Sequence, residues 1–258
     1  MSLQLNEPTF KEFYGRNIDQ MPNLIAEGRT PLSVSGLMER RLETLGASKP
    51  VKESWWNNYF DTGDGVFYHP DGRIRVVLDA KPLREINPES KLQNRTLVLP
   101  DGLYEQLEGE EFTREQVAKY VDRLLTSKDA KNNPVWMALA RDQKLLNDYV
   151  DAVFSEATQQ FGYKENMGVY VANAQNVPTG RLWTVGGLRD NSNADGRGSL
   201  DYGIGRLVGV EAAEPQVARE KSDSVVVPSL EEVLKVTSPF IANVNMEQLR
   251  EALTPLYK

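Results

Sequence analysis

The chain of 258 residues contains no cysteine. That absence removes disulfides, thiol nucleophiles, CxxC redox chemistry and every cysteine-ligated zinc or iron–sulfur site. It leaves the redox compartment open, because a cysteine-free chain tolerates either environment. Histidine is almost as scarce: His69 stands alone. Multi-histidine metal sites such as HExxH are therefore excluded, and a Ser-His-Asp relay would have to run through His69. No apolar run reaches the roughly 18 residues of a membrane span. The start, MSLQLNEPTFKEFYGRN, is polar and acidic where a signal peptide is basic and then apolar, so the expected location is cytoplasmic. Basic charge is also short, with 30 Lys and Arg against 37 Asp and Glu. No third of the chain is net basic, so a phosphate-tracking face, and with it a nucleic-acid partner, is not expected.

What is present suits a globular fold. Hydrophobic residues make up 40% and charged residues 26%, which is enough to build a core at this length without a metal or disulfide staple. Thr30-Pro31 reads as a cap and first helical residue, with Val34, Leu37, Met38, Leu42 and Leu45 following at helical spacing. Residues 65–79 read as a hairpin closed by Pro70-Asp71-Gly72, and Thr96–Leu99 as a further strand. Thr113 and Gln116 have capping-box spacing, and the stripe behind them runs through Val117, Tyr120, Val121, Leu124 and Leu125. Asn133-Pro134 opens another helix, and Leu145 to Phe161 forms the longest one. After Gly162 the texture changes to strands at 169–172, 181–185, 206–210 and 225–227. Two short helices, capped by Ser229 and Asn245, end the chain. The segment 211–223 is polar and non-periodic, as a linker is.

Helices and strands are segregated along the chain, which predicts an α+β fold: a mainly antiparallel sheet with helices packed on one face. The whole of 1–258 is expected as a single domain. The alternative division is a helix-rich 1–161 and a strand-rich 162–258.

The most unusual stretch is 186–205, GGLRDNSNADGRGSLDYGIG, which holds six of the 19 glycines. Asn191, Asn193, Asp195 and Gly196 match the first half of a calcium loop, but the twelfth position is Tyr202 rather than a bidentate Glu. This makes Asn191, Asn193 and Asp195 the candidate ligands for a weakly bound divalent cation. A second reading is an anion or polar ligand held by freed backbone N–H groups, with charge from Arg189, Arg197 and Arg206. The bland reading is a mobile hairpin loop with glycine for flexibility. As a ligand or partner site on the surface, the segment is one whose excision over residues 190–198 is expected to leave the fold largely intact while reducing binding.

Tyr59-Phe60-Asp61-Thr62-Gly63 resembles the hydrophobic-Asp-Thr-Gly motif of aspartic proteases. That chemistry needs two carboxylates sharing a proton, and one triplet supplies only one. The structural alternative is a tight turn over residues 61–65. Trp55, Trp56, Tyr59 and Phe60 read as core with a secondary capacity for stacking. His69 reads as a turn residue, and the acidic run from Asp101 to Glu115 as a solvated face.

Two functional classes follow. The leading one is a non-enzymatic binding or assembly module for a polar small molecule or a protein. The alternative is a carboxylate-dependent hydrolase using a divalent metal, built from Asp61, Asp64, Asp190, Asp195 and Asp201. Convergence of those aspartates in one concavity would favour the enzyme.

Overall fold

The computed structural model describes residues 3–5 and 9–211. In chain order the elements are β1 (Phe10–Gly15), α1 (Asn17–Ala26), β2 (Arg29–Pro31), α2 (Val34–Glu43), a 3-10 turn (Thr44–Gly46), α3 (Lys49–Trp56), β3 (Phe60–Tyr68), β4 (Ile74–Val77) and α4 (Lys81–Arg84). Then come β5 (Leu92–Gln93), β6 (Thr96–Val98), α5 (Leu103–Gln106), β7 (Glu110–Phe112), α6 (Arg114–Val117) and β8 (Arg123–Leu125). The last group is α7 (Ser127–Lys131), α8 (Pro134–Ala140), α9 (Gln143–Phe161), β9 (Asn166–Tyr170), β10 (Thr179–Val185), a 3-10 turn (Leu188–Asp190), β11 (Ala194–Asp195) and β12 (Gly205–Glu211).

Among the described residues the strands form one sheet whose main path is β1-β12-β3-β10-β11-β9-β8. Its pairings are antiparallel except β11 with β9 and β12 with β3, so the expected α+β, mainly antiparallel architecture is what the chain adopts. Side chains alternate across the sheet. Val66, Tyr68, Trp183 and Val208 join the larger core, against Trp55, Trp56, Trp136, Leu146, Tyr149 and Val153 of the main helical layer. Their neighbours Phe67, Leu182 and Leu207 face the other way, onto Ile18, Met21 and Leu24 of α1 and Leu83 of α4. Helices thus cover one face broadly, with α1 and α4 as a smaller cover on the other.

The long helix behaves as its stripe predicts: Leu146, Tyr149, Val150, Val153 and Ala157 are buried, and Asp142 caps it by accepting from the Leu145 N–H. Asn133 caps α8 through two backbone N–H groups. The hairpin of β3 and β4 pairs Gly65 with Val77 and Tyr68 with Ile74.

Several expectations are corrected. Thr30-Pro31 lies in β2, and the cap of α2 is Ser33, whose Oγ accepts from Gly36 N–H at 3.1 Å. The capping box at Thr113 and Gln116 is present, but its helix lasts one turn. Leu124 and Leu125 belong to β8, because pairing with β9 overrides the helical stripe. Residues 61–65 form the buried middle of β3, not a turn. The two glycines that look like turn residues are there for clearance: a Cβ on Gly63 would sit 2.9 Å from Pro31, and one on Gly65 would sit 2.6 Å from Leu83. The segment 186–205 is packed, with Leu188, Ser192, Ala194 and Leu200 buried, so it is not a mobile hairpin loop. β1, α1 and β2 carry no plain signal in the sequence; Pro22 inside α1 disguises that helix.

The strand expected at 225–227, the two terminal helices and nearly all of the 211–223 linker lie outside the described residues. Among those described, no helix is long and apolar enough to cross a membrane.

Candidate functional site

The path of 186–205 is set from below by side chains that hold its backbone. At its start, Arg41 donates from Nη2 to the Gly186 carbonyl at 2.9 Å. In the middle, the Tyr68 hydroxyl donates to the Gly196 carbonyl at 2.8 Å. Arg181 Nη1 donates to the carbonyls of Arg197 (2.9 Å) and Gly198 (2.6 Å). Its Nη2 reaches the Asn94 carbonyl at 3.2 Å. Two backbone bonds complete the tie: Gly196 N–H to the Tyr170 carbonyl (2.8 Å), and Leu200 N–H to the Arg95 carbonyl (3.0 Å). Tyr68 lies in β3 and Arg181 in β10, adjacent central strands, so the floor is rigid. Burial raises the Tyr68 pKa and lowers that of Arg181, since each charged form is costly out of water.

Three loops meet on this floor: the β5–β6 turn, the chain after β9, and 195–204. They present two similar groups. Arg197 lies 4.4 Å over the Tyr170 ring and pairs with Asp195 at 2.7 Å. Arg95 lies 5.9 Å from the Tyr202 ring and pairs more loosely with Asp201 at 3.9 Å. Amides stand between them, Asn94 donating to Gln175 at 3.0 Å and Gln93 to Asn176 at 2.7 Å. Asn94 and Arg95 take left-handed φ values of 48° and 64°, which turns the β5–β6 tip outward. Tyr202 is 53% exposed and Arg197 is exposed as well. Tyrosine, arginine and amides on a rigid base are the residue types that supply contact area and adaptable hydrogen bonding at low entropic cost.

The residues singled out from sequence are distributed differently. Arg197 and Asp195 belong to this surface. Arg189 is exposed on the 3-10 turn, where its carbonyl faces the Tyr163 hydroxyl. Arg206 lies in another neighbourhood, between the rings of Tyr14 (5.3 Å) and Tyr59 (5.1 Å) and 2.9 Å from Glu12. The three arginines therefore do not form one cradle. Of the calcium-like positions, Asn193 Oδ1 accepts from Gly168 N–H at 2.8 Å, Asn191 donates toward the Asn166 side chain, and both Asp195 oxygens are taken by Arg197. Among the described residues no three Asp, Glu, His or Cys side chains gather as a metal cage.

Asp61 and Asp64 are buried in β3 with their oxygens occupied. Asp61 accepts from the Thr184 hydroxyl (2.5 Å), Asn17 Nδ2 (3.1 Å) and Arg206 N–H (2.8 Å). Asp64 accepts from the Val34 and Asp79 N–H groups (2.7 and 2.9 Å) and from Arg141 (3.0 Å). Burial raises both pKa values, and the donors oppose that shift. These bonds fasten β3 to α1, α2 and β12, and among the described residues neither aspartate joins a group of three metal-ligating side chains. Trp55, Trp56 and Phe60 are core.

Sequence reasoning missed Arg181, Tyr68, Tyr170, Arg95, Asn94 and Gln175. An arginine opening the otherwise uncharged strand run RLWTV is the available signal for Arg181.

No family model matches the chain, and no curated protein does. It is similar in fold to a solved structure described as "Accommodation of massive sequence variation in Nanoarchaeota by the C-type lectin fold". The TM-score is 0.58 at 18% identity, covering 80% of this chain and 100% of that one. At that identity the likeness concerns the fold alone.

Proposed function

We propose that this protein is a binding module, and that its partner is a protein that meets the three-loop surface around Tyr170, Arg197, Tyr202 and Arg95. One observation carries the reading. The β5–β6 turn and the 195–204 loop are held through their backbone carbonyls by Arg181 and Tyr68, while Arg95, Arg197 and Tyr202 are exposed. A surface built in this way separates folding from recognition: the scaffold sets the shape, and the exposed residues set the specificity. The fold neighbour is described in terms of sequence variation that its fold accommodates, which supports the same division of labour here. Charge balance within each Tyr–Arg–Asp group favours contact with another macromolecule in a protein of net charge −7.

The test uses the full chain. Wild type, an Arg95→Ala/Arg197→Ala double variant and a Lys144→Ala/Asp148→Ala control on the outer face of α9 are immobilised and exposed to native extract. Captured proteins are then quantified. A partner retained by wild type and control but lost from the double variant supports the reading. Identical capture by all three overturns it.

A further inference from the structure

We infer that the turn at Gly196–Ser199 is a receptor for a single carboxylate, formed by outward backbone N–H groups above the buried Arg181 cation. This rests on the proposed function and names the chemistry by which a partner is held.

The argument starts from peptide geometry. Three consecutive carbonyls, those of Gly196, Arg197 and Gly198, point into the protein, onto Tyr68 and Arg181. A trans peptide directs its C=O and N–H to opposite sides, and no peptide bond among the described residues is cis. The N–H groups of Arg197, Gly198 and Ser199 are thereby turned away from the floor. The first already holds an anion, Asp195 Oδ1 at 2.8 Å. The next two have no hydrogen-bond acceptor among the described residues, and both residues are partly exposed. Successive N–H groups on one side of the chain form an anion-binding concavity.

Charge points the same way. Arg181 is 9% exposed, its Nε has no partner, and its other partners are all carbonyls. Among the described residues no carboxylate pairs with it at contact distance. Its field acts along the peptide dipoles it has aligned, whose positive N–H ends face outward. Arg197 and Arg95 stand at the rim, each paired with one aspartate. Asp195 and Asp201 stand beside these arginines, and Asp122 acts on Arg197 from further away. The surface is therefore close to neutral and takes a monoanion more readily than a dianion, whose second charge would face the same aspartates. The match is therefore a carboxylate, supplied by an Asp or Glu side chain or a chain terminus, in preference to phosphate.

The experiment is an amide-resolved NMR titration of the isotopically labelled full chain with sodium acetate, acetamide and inorganic phosphate at constant ionic strength. The expected result is a saturable downfield shift of the Gly198 and Ser199 amides with acetate, a smaller one with phosphate and none with acetamide. Arg181→Met weakens acetate binding by about fivefold or more, whereas Arg181→Lys, which keeps the charge, retains most of it. Absence of a shift, or equal shifts with acetate and acetamide, overturns the inference. So does acetate binding that Arg181→Met leaves unchanged. If Arg181→Met does not fold, the wild-type comparison of acetate with acetamide decides alone. Acetate binding together with unaltered partner capture by the rim variants would uphold the receptor and defeat the functional reading, so the two fail separately.

Discussion

Arg41 and Tyr149 meet inside the core, the guanidinium Nη1 donating to the phenol oxygen at 2.7 Å. Arg41 is fully buried, and its remaining partners are the carbonyls of Trp55, Asn58 and Gly186. A single side chain thus ties α2 to α9, to the loop after α3 and to the start of the 186–205 segment. Truncation strands two buried acceptors, the Trp55 carbonyl and the Tyr149 hydroxyl, and two part-buried carbonyls, so Arg41→Ala is expected to cost about 3 kcal/mol or more. Tyr149→Phe, which removes one hydroxyl, is expected to cost about 1 kcal/mol. Denaturant unfolding of both variants checks the order; a near-neutral Arg41→Ala would contradict it.

Asp61 sets a pH dependence. Burial raises its carboxyl pKa above the ordinary range. A carboxyl whose folded pKa is raised contributes stability that is present below its unfolded pKa, and that contribution is lost as pH rises through the folded value. Asp64 shifts in the same direction. Stability is therefore expected to decline from the ordinary aspartate range, about pH 4, toward the raised values. Asp61→Asn can keep the Asn17 and Arg206 bonds on its oxygen while its amide donates to Thr184, so it should fold and show a shallower decline. Thermal melts from pH 4 to 8 decide; equal slopes for both proteins would refute the assignment.

Excising residues 190–198 is expected to abolish cooperative folding. The stretch contains β11, which joins β10 to β9, together with the buried Ser192 and Ala194. A deletion variant that melts within a few degrees of wild type would show that the sheet closes without it.

Side chains on the rim should behave in the opposite way. Arg197→Ala and Tyr202→Ala remove exposed groups and surface ion pairs, and each is expected to change stability by no more than about 0.5 kcal/mol. Asn133→Ala, by contrast, removes the acceptor for two N–H groups of α8 and a bond to the Tyr120 carbonyl, so a loss of about 1–2 kcal/mol is expected. Parallel unfolding curves would expose any reversal of this ranking.

Much of the architecture was legible because local signals and tertiary packing agree. The stripe from Leu146 to Ala157, the Asn133 cap and the hairpin about Asp71-Gly72 each state their role in adjacent residues. The surface was not legible for a physical reason. Its shape depends on Arg181 reaching Asn94 and on Arg41 reaching Gly186, contacts between residues 87 and 145 positions apart that end on carbonyls every residue possesses. Backbone acceptors leave no mark in a sequence. Asp61-Thr62-Gly63 misled for a related reason: glycine and aspartate signify turns by propensity, but here glycine makes room for Pro31 and aspartate binds neighbouring strands.

β1 and β12 lie side by side, with Phe10 opposite Val210 and Gly15 opposite Gly205. Residues 10 and 210 are therefore neighbours in space, a hydrogen-bonded strand spacing of about 5 Å apart. The first and last described strands thus close the sheet against each other, and a unit cut beyond their neighbouring ends can be handled as a cassette, fit for splicing into a surface loop of a host protein.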